Sequence, residues 1–247
     1  MADRKWVGMS SGADRLPRSI ELLWGRDEPG SRGPKRGLTL TQVVDAAIDL
    51  ADKEGFAALS MARVAEQVGV TTMALYRYVD TKDILIELVS DRVIGPPPKI
   101  AVGKDWRRGL QQWATAEYEA IKKHPWWLDI PLTAPPLGPN NTAWLETAIA
   151  VFDETPVSEP VKVQMVLNLS LYVISRARLL REMSAGADAD DAYPTVLQSI
   201  IDQETFPALT RAIEGGAFDT DRQANWEDAD LRWGLERLLD GYERFVN

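Results

Sequence analysis

Between Thr71 and Lys82 the chain gathers side chains that suit contact with nucleic acid: Thr71, Thr72, Met73, Tyr76, Arg77 and Lys82. Arg77 can present a two-pronged donor to guanine O6 and N7, Thr72 can donate or accept at a base edge, and Met73 can pack on a thymine methyl. Lys82 offers a charge to a phosphate, which the amides of a helix N-terminus would grip as well. Catalytic chemistry is poorly supplied. His124 is the single histidine and cysteine is absent, so no Ser-His-Asp or Cys-His arrangement is available, and no glycine-rich phosphate loop follows a strand. Asp188, Asp190 and Asp191 lack the spacing of a calcium loop. The expectation is a non-enzyme with no cofactor and no metal.

These side chains need a scaffold that turns them outward, and the apolar spacing around them describes one. Met61, Val64, Ala65 and Val68 fall at i, i+3, i+4 and i+7, one face of a short helix that Ser60 is placed to cap. Gly69 tolerates the tight reversal that follows, and Val70 tucks between the two helices. The second helix turns Leu75 and Val79 inward. Thr71, Thr72, Met73, Tyr76 and Arg77 are left outward near its N-terminus, the part of a recognition helix that reaches base edges. Upstream, a helix from Thr41 to Glu54 places Val44, Ala47, Ile48 and Ala51 inward and stops at Gly55. Downstream, Thr81 caps a fourth helix whose apolar side carries Ile84, Leu85, Leu88 and Val89, until Gly95 and Pro96-Pro97-Pro98 break it and mark a domain boundary.

From Asp105 onward the chain reads as further helices without a period-two strand. One carries Trp106, Leu110, Trp113 and Tyr118 and ends near His124-Pro125. The next run from Asn141 to Phe152 and from Val161 to Glu182, the latter apolar nearly all round in its first half. Two short helices between Tyr193 and Ile213 break at Pro207. The last, Asn225 to Phe245, sets Leu231, Leu235, Leu238, Tyr242 and Phe245 along one side. The expected fold class is all-α: an N-terminal three-helix helix-turn-helix domain, residues 38–95, joined by the fourth helix to a larger α-helical domain, residues 96–247. Residues 1–37 form a flexible extension in which Leu16 to Trp24 makes a short helix, with Pro17 in its first turn and Ile20, Leu23 and Trp24 on its docking side. The arm from Asp27 to Gly37 concentrates Arg32, Lys35 and Arg36. It reads either as an arm reaching a minor groove or phosphates, or as a solvated linker.

The net charge of −9 argues against coating nucleic acid through bulk electrostatics. The sign is uneven: residues 1–37 carry eight Lys/Arg against five Asp/Glu, residues 38–95 five against nine, and the remainder fifteen against twenty-three. Contact with DNA must therefore rest on a few local cations. The absence of cysteine suits a reducing cytoplasm, and no signal peptide is read at the N-terminus. The most apolar run, Met165 to Ile174, falls short of the ~20 residues of a membrane span, so a soluble protein with no membrane partner is expected.

The stretch Gly-Val-Thr-Thr-Met-Ala-Leu-Tyr-Arg-Tyr-Val-Asp-Thr-Lys-Asp-Ile-Leu, residues 69–85, with Leu-Ser-Met-Ala-Arg-Val-Ala before it, closely resembles the N-terminal domain of TetR-family transcriptional repressors. Trp106 through His124-Pro125-Trp126 and Pro136-Leu137-Gly138-Pro139-Asn140 are similar to the C-terminal domain of the tetracycline-repressor branch. The resemblance implies an all-helical, cytoplasmic homodimer that sets one recognition helix in each half of a palindromic operator. A small effector bound in the C-terminal domain would release the DNA. It places Thr71, Thr72, Met73 and Arg77 at base-edge or nearby phosphate contacts, and Tyr76 and Lys82 at phosphates. Tyr78 stands where the family often has a histidine and still offers a hydroxyl to the DNA backbone. Relatives that bind a metal-chelated drug use histidines, and Pro96-Pro97-Pro98 stands where one would be expected, which argues against a magnesium-tetracycline effector.

Seven of the nine tryptophans lie after residue 100; aromatic side chains at helical spacing are usually core, yet a domain this rich in flat apolar rings could also line a pocket for an aromatic or lipophilic effector. Trp113, Trp127 and Trp144 are the candidate walls. Asn168 and Tyr172, polar on an otherwise apolar helix, are the candidate orienting groups, with an internal hydrogen bond as the competing role. The dimer is expected to form from Val161 to Glu182 and Asn225 to Phe245 as a four-helix bundle with their symmetry mates. The alternative is a DNA-binding regulator whose C-terminal domain serves only dimerisation or protein interaction, without a small effector.

Overall fold

Thr39 opens the first long helix of the protein: its hydroxyl accepts from the Gln42 N–H while the Gln42 side chain accepts from the Thr39 N–H, a capping box that satisfies two donors at once. In the computed structural model, which describes residues 16–26, 37–100, 105–131, 135–185, 193–218 and 226–246, every regular element is helical. The α-helices are α1 (Arg18–Leu23), α2 (Leu40–Glu54), α3 (Met61–Gln67), α4 (Thr72–Leu75), α5 (Lys82–Ile94), α6 (Trp106–Lys123), α7 (Pro139–Ala150), α8 (Glu159–Ala185), α9 (Tyr193–Ile200), α10 (Pro207–Glu214) and α11 (Trp226–Val246). Short 3-10 turns cover Phe56–Ala58 and Pro125–Asp129. The arm residues Arg32, Lys35 and Arg36 and the acidic run Asp188–Asp191 lie outside the described residues.

The chain divides into two compact units, Met1–Pro97 with Asp129–Leu145, and Pro98–Leu128 with Glu146–Asn247. In the first, α2 packs against α3 and α5, and α3 against α4. The core between them is small and fully closed: Val43, Ala47, Leu59, Val64, Leu75, Val79, Leu85 and Val89 are at most 1% exposed. Ser60 and Thr81 cap α3 and α5 as expected, each hydroxyl accepting the amide three residues on, and Gly55, Gly69 and Gly95 take the positive φ at which their helices or turns end.

Helix α1 packs on α5, but through a face other than the expected one. Ser19 and Leu22 are buried, whereas Trp24 stays exposed and spends its indole N–H on the Leu137 carbonyl at 2.9 Å. A six-residue helix makes too few turns for periodicity to separate adjacent faces.

In the second unit α8 lies against both α6 and α11. Leu110, Trp113, Tyr118 and Ile121 of α6 meet a core that includes Val166, Leu169 and Val173 of α8. On α11 the buried set is Leu231, Leu235, Leu239, Tyr242 and Val246. The expected Leu238 and Phe245 are displaced by their next neighbours, and Phe245 is exposed. Both α8 and α11 carry apolar residues on two sides, so one periodicity fits either side.

Candidate nucleic-acid interface

Local hydrogen bonds define the turn of the helix-turn-helix and the start of its second helix. At the end of α3 the Val70 N–H reaches back to the Ala65 carbonyl at 2.9 Å, across Gly69 at φ +72°. Thr71 then caps α4, its hydroxyl accepting the Ala74 N–H at 3.2 Å and keeping its own hydrogen free to donate. Only Thr72–Leu75 is regular α-helix, and the following turn runs to Tyr78. Leu75 and Val79, both without exposure, nail this short helix to the core and so decide which side of it faces out.

On that outward side Met73 is 75% exposed and Tyr76 41%, with Arg77 exposed beside them, while Thr72 and Tyr78 are half-buried. An exposed methionine and tyrosine on a closed little domain have no folding purpose to serve there. The cations of this unit are sorted by their partners. Arg63 is held by Glu54 through two hydrogen bonds, which keep the Glu54 carboxyl below its ordinary range, and Arg92 pairs with Asp45 at 3.3 Å. Arg77 and Lys82 join no ion pair among the described residues. Lys82 sits in the first turn of α5 with its ammonium 5.9 Å from the Phe56 ring centre, close to the amides at that helix end. Arg18 of α1 reaches Asp80 at 3.2 Å, drawing the one acidic side chain between Tyr78 and Lys82 into an ion pair. Arg18 carried no sequence signal of this role, because its partner lies 62 residues away.

The five effector candidates are divided between the two units. Trp144 belongs to the first unit and its indole N–H donates to the Gly95 carbonyl at 2.9 Å. Trp113 is buried in the second unit and Trp127 half-buried in the 3-10 turn after α6. Tyr172 places its hydroxyl at the Asp230 and Leu231 carbonyls of α11, 3.1 and 3.0 Å away, with burial holding its pKa above the ordinary value. Asn168 is exposed and lends its side chain to Tyr242, whose hydroxyl donates to the Met165 carbonyl at 2.7 Å and is pushed up to about 12 by burial. A further polar group passed unnoticed in the sequence. Glu117 of α6 is 7% exposed and its pKa is pushed up to about 7 by burial, against the opposing hydrogen bond from Ser170. No helix among the described residues is long and apolar enough to cross a membrane.

Comparison with known proteins agrees with this geometry at both ends of the chain. Residues 43–89 match the model of bacterial regulatory proteins of the tetR family, and residues 98–246 that of the tetracyclin repressor-like C-terminal domain. The HTH-type transcriptional repressor DrrR1 of Streptomyces coeruleorubidus is 34% identical over 250 residues, spanning 96% of this chain and 89% of that one. An HTH-type transcriptional regulator of Saccharopolyspora erythraea is 33% identical over 129 residues, 52% of this chain and 54% of its own. Among solved structures, apo ActR from Streptomyces coelicolor superposes with a TM-score of 0.71 at 24% identity, covering 85% of this chain and 99% of ActR. ActR in complex with actinorhodin gives 0.72 at 24% identity, covering 83% and 95%. These relatives are transcriptional regulators rather than enzymes, and the chain, matched in both its parts, belongs to the tetR family of bacterial regulatory proteins.

Proposed function

We propose that this regulator is a cytoplasmic, dimeric repressor that reads a palindromic operator through α4 and is released by a small, lipophilic or aromatic effector bound in its second unit. The observation that carries the DNA half of this reading is the exposed row Met73, Tyr76 and Arg77, held outward by the fully buried Leu75 and Val79. Thr72, Met73 and Arg77 would read base edges; Thr71, Tyr76, Tyr78 and Lys82 would hold phosphates, with Arg32, Lys35 and Arg36 as further candidates.

Dimerisation is supported by apolar side chains that the single chain leaves open. Leu167 and Leu171, one turn apart on α8, are 51% and 57% exposed, and Trp233 and Phe245 on α11 are 63% and 59% exposed. A two-fold axis through these helices would cover one set with its copy and present two α4 helices to two half-sites. For the effector, the actinorhodin complex of ActR supplies the precedent of a small molecule bound to a neighbour of this fold. Trp113 and Trp127 are the aromatic groups of the second unit that such a molecule would meet. Release then requires only that the effector prefer a conformation unfit for the operator.

A second reading, in which the second unit serves dimerisation or protein contact alone, is favoured by one observation: Tyr172 and Asn168 already have hydrogen bonds within the chain. Selection of bound sequences from random duplex DNA by the purified protein, at a stated salt concentration, tests the main reading. Enrichment of a palindrome is the expected result, and a folded protein that enriches none would overturn it.

A further inference from the structure

The last turn of α5 holds a buried carboxylate that operator contact does not use. Asp91 is 4% exposed and joins no ion pair among the described residues, its neighbour Arg92 pairing with Asp45. Its charge is met instead by the start of α7. Oδ1 accepts from the backbone N–H and the side-chain amide of Asn141, both at 2.9 Å, and Oδ2 accepts from the same two groups of Asn140, at 3.3 and 3.1 Å. The Asn140 amide also reaches the Asp91 carbonyl at 2.9 Å. The first amides of a helix lack intrahelical partners and carry its positive end, so a carboxylate is the matching counterpart. Gly138 allows the approach: a Cβ there would lie 2.1 Å from Asp91 Oδ1. One turn on, Trp144 ties the same helix to Gly95. The clamp belongs wholly to the first unit, and α7 carries one of the crossings between the units, from Leu145 to Glu146.

Resting on the reading of a dimer on a palindrome, we propose that Asp91 is a positioning residue that sets the spacing between half-sites which the dimer accepts. The Lys82 end of α5 lies nine residues from Asp91, about 14 Å along the helix, so a tilt of about 14° at Asp91 carries that end through roughly the rise of one base pair. Four donors converge on the Asp91 carboxylate. An asparagine there would turn an NH2 group against N–H donors and free α5 to tilt while leaving the reading side of α4 unchanged.

The test compares Asp91→Asn with the wild-type full-length protein on three duplexes: the selected palindrome and versions with the spacer one base pair shorter or longer, at one salt concentration, together with an isolated half-site and a thermal melt. The wild type should discriminate against the altered spacers by about tenfold or more, and Asp91→Asn by less than about threefold, with half-site affinity within about twofold. A folded Asp91→Asn protein that loses affinity equally on every duplex, keeping the wild-type spacing preference, overturns the inference while the operator reading stands. A wild type indifferent to spacing overturns both. Should Asp91→Asn fail to fold, Asn141→Ala, which removes one side-chain donor and keeps the backbone bonds, is expected to relax the preference part of the way, and an unchanged preference there overturns the inference equally.

Discussion

Glu117 on α6 holds one carboxyl oxygen 2.6 Å from the Ser170 hydroxyl of α8, and its other oxygen is buried with no hydrogen-bond partner among the described residues. Neither helix offers a cation to this carboxyl within hydrogen-bond reach among the described residues, so burial raises its pKa to about 7 from an ordinary 4.5.

The folded protein therefore keeps the Glu117 proton between those two values, while the unfolded chain releases it. A group whose folded pKa is raised contributes stability that is fully present below about pH 4.5 and is lost as pH rises toward 7, here up to about 3 kcal/mol. Carboxyls held low by their partners, such as Asp240 beside Arg107 and Arg237, act in the opposite direction and over a lower range. Urea unfolding from pH 5 to 8 should show the wild type losing stability relative to Glu117→Gln, and parallel curves would refute the raised pKa.

Arg77→Ala, by removing a two-pronged base contact, should cost roughly 1 to 3 kcal/mol of operator affinity and relax preference at one base pair in each half-site. Lys82→Ala should weaken binding to all sequences alike and lower the salt slope by about one. Titrations on operator and scrambled duplexes at several salt concentrations separate the two roles. Equal, sequence-independent losses would make Arg77 a backbone contact.

Leu171 is more than half exposed in the single chain, so an aspartate there leaves folding nearly untouched. In the proposed dimer the same charge would be buried without a partner, weakening association by roughly 2 kcal/mol or more. Analytical ultracentrifugation should show Leu171→Asp shifted toward monomer with an unchanged melting profile at low concentration. A dimer of wild-type strength would remove this part of α8 from the interface.

Gly234 of α11 lies directly beneath Tyr172, where a Cβ would stand 2.1 Å from the hydroxyl and 2.6 Å from the ring carbon bearing it. Gly234→Ala must push α8 and α11 apart or turn the tyrosine off its two carbonyls, a loss of about 1 to 3 kcal/mol by overpacking. Thermal or urea unfolding checks this, and a stability equal to wild type would mean that the two helices separate freely.

The helix-turn-helix and the helices flanking it were almost wholly legible because their determinants are local. Ser60, Gly69, Thr71 and Thr81 each act on amides or dihedrals within a few residues, and Leu75 with Val79 fixes the outward face of so short a helix. The first long helix began one residue before its expected start at Thr41, since the capping pair is Thr39 with Gln42. On α11 the period of 3.6 admitted both the Leu238–Phe245 side and the Leu239–Val246 side, and only the packing of α8 chose the latter.

By itself, then, the sequence determined an all-helical chain, the helix-turn-helix and the residues it presents, because caps, turn glycines and apolar periods act over one or two helical turns. Tertiary structure alone decided that Asp91 meets Asn140 and Asn141, that Arg18 meets Asp80, and that Glu117 is buried against Ser170. Each of those pairs joins residues about fifty or more positions apart, and a charged side chain among ordinary helical neighbours carries no local mark of the partner that will bury it.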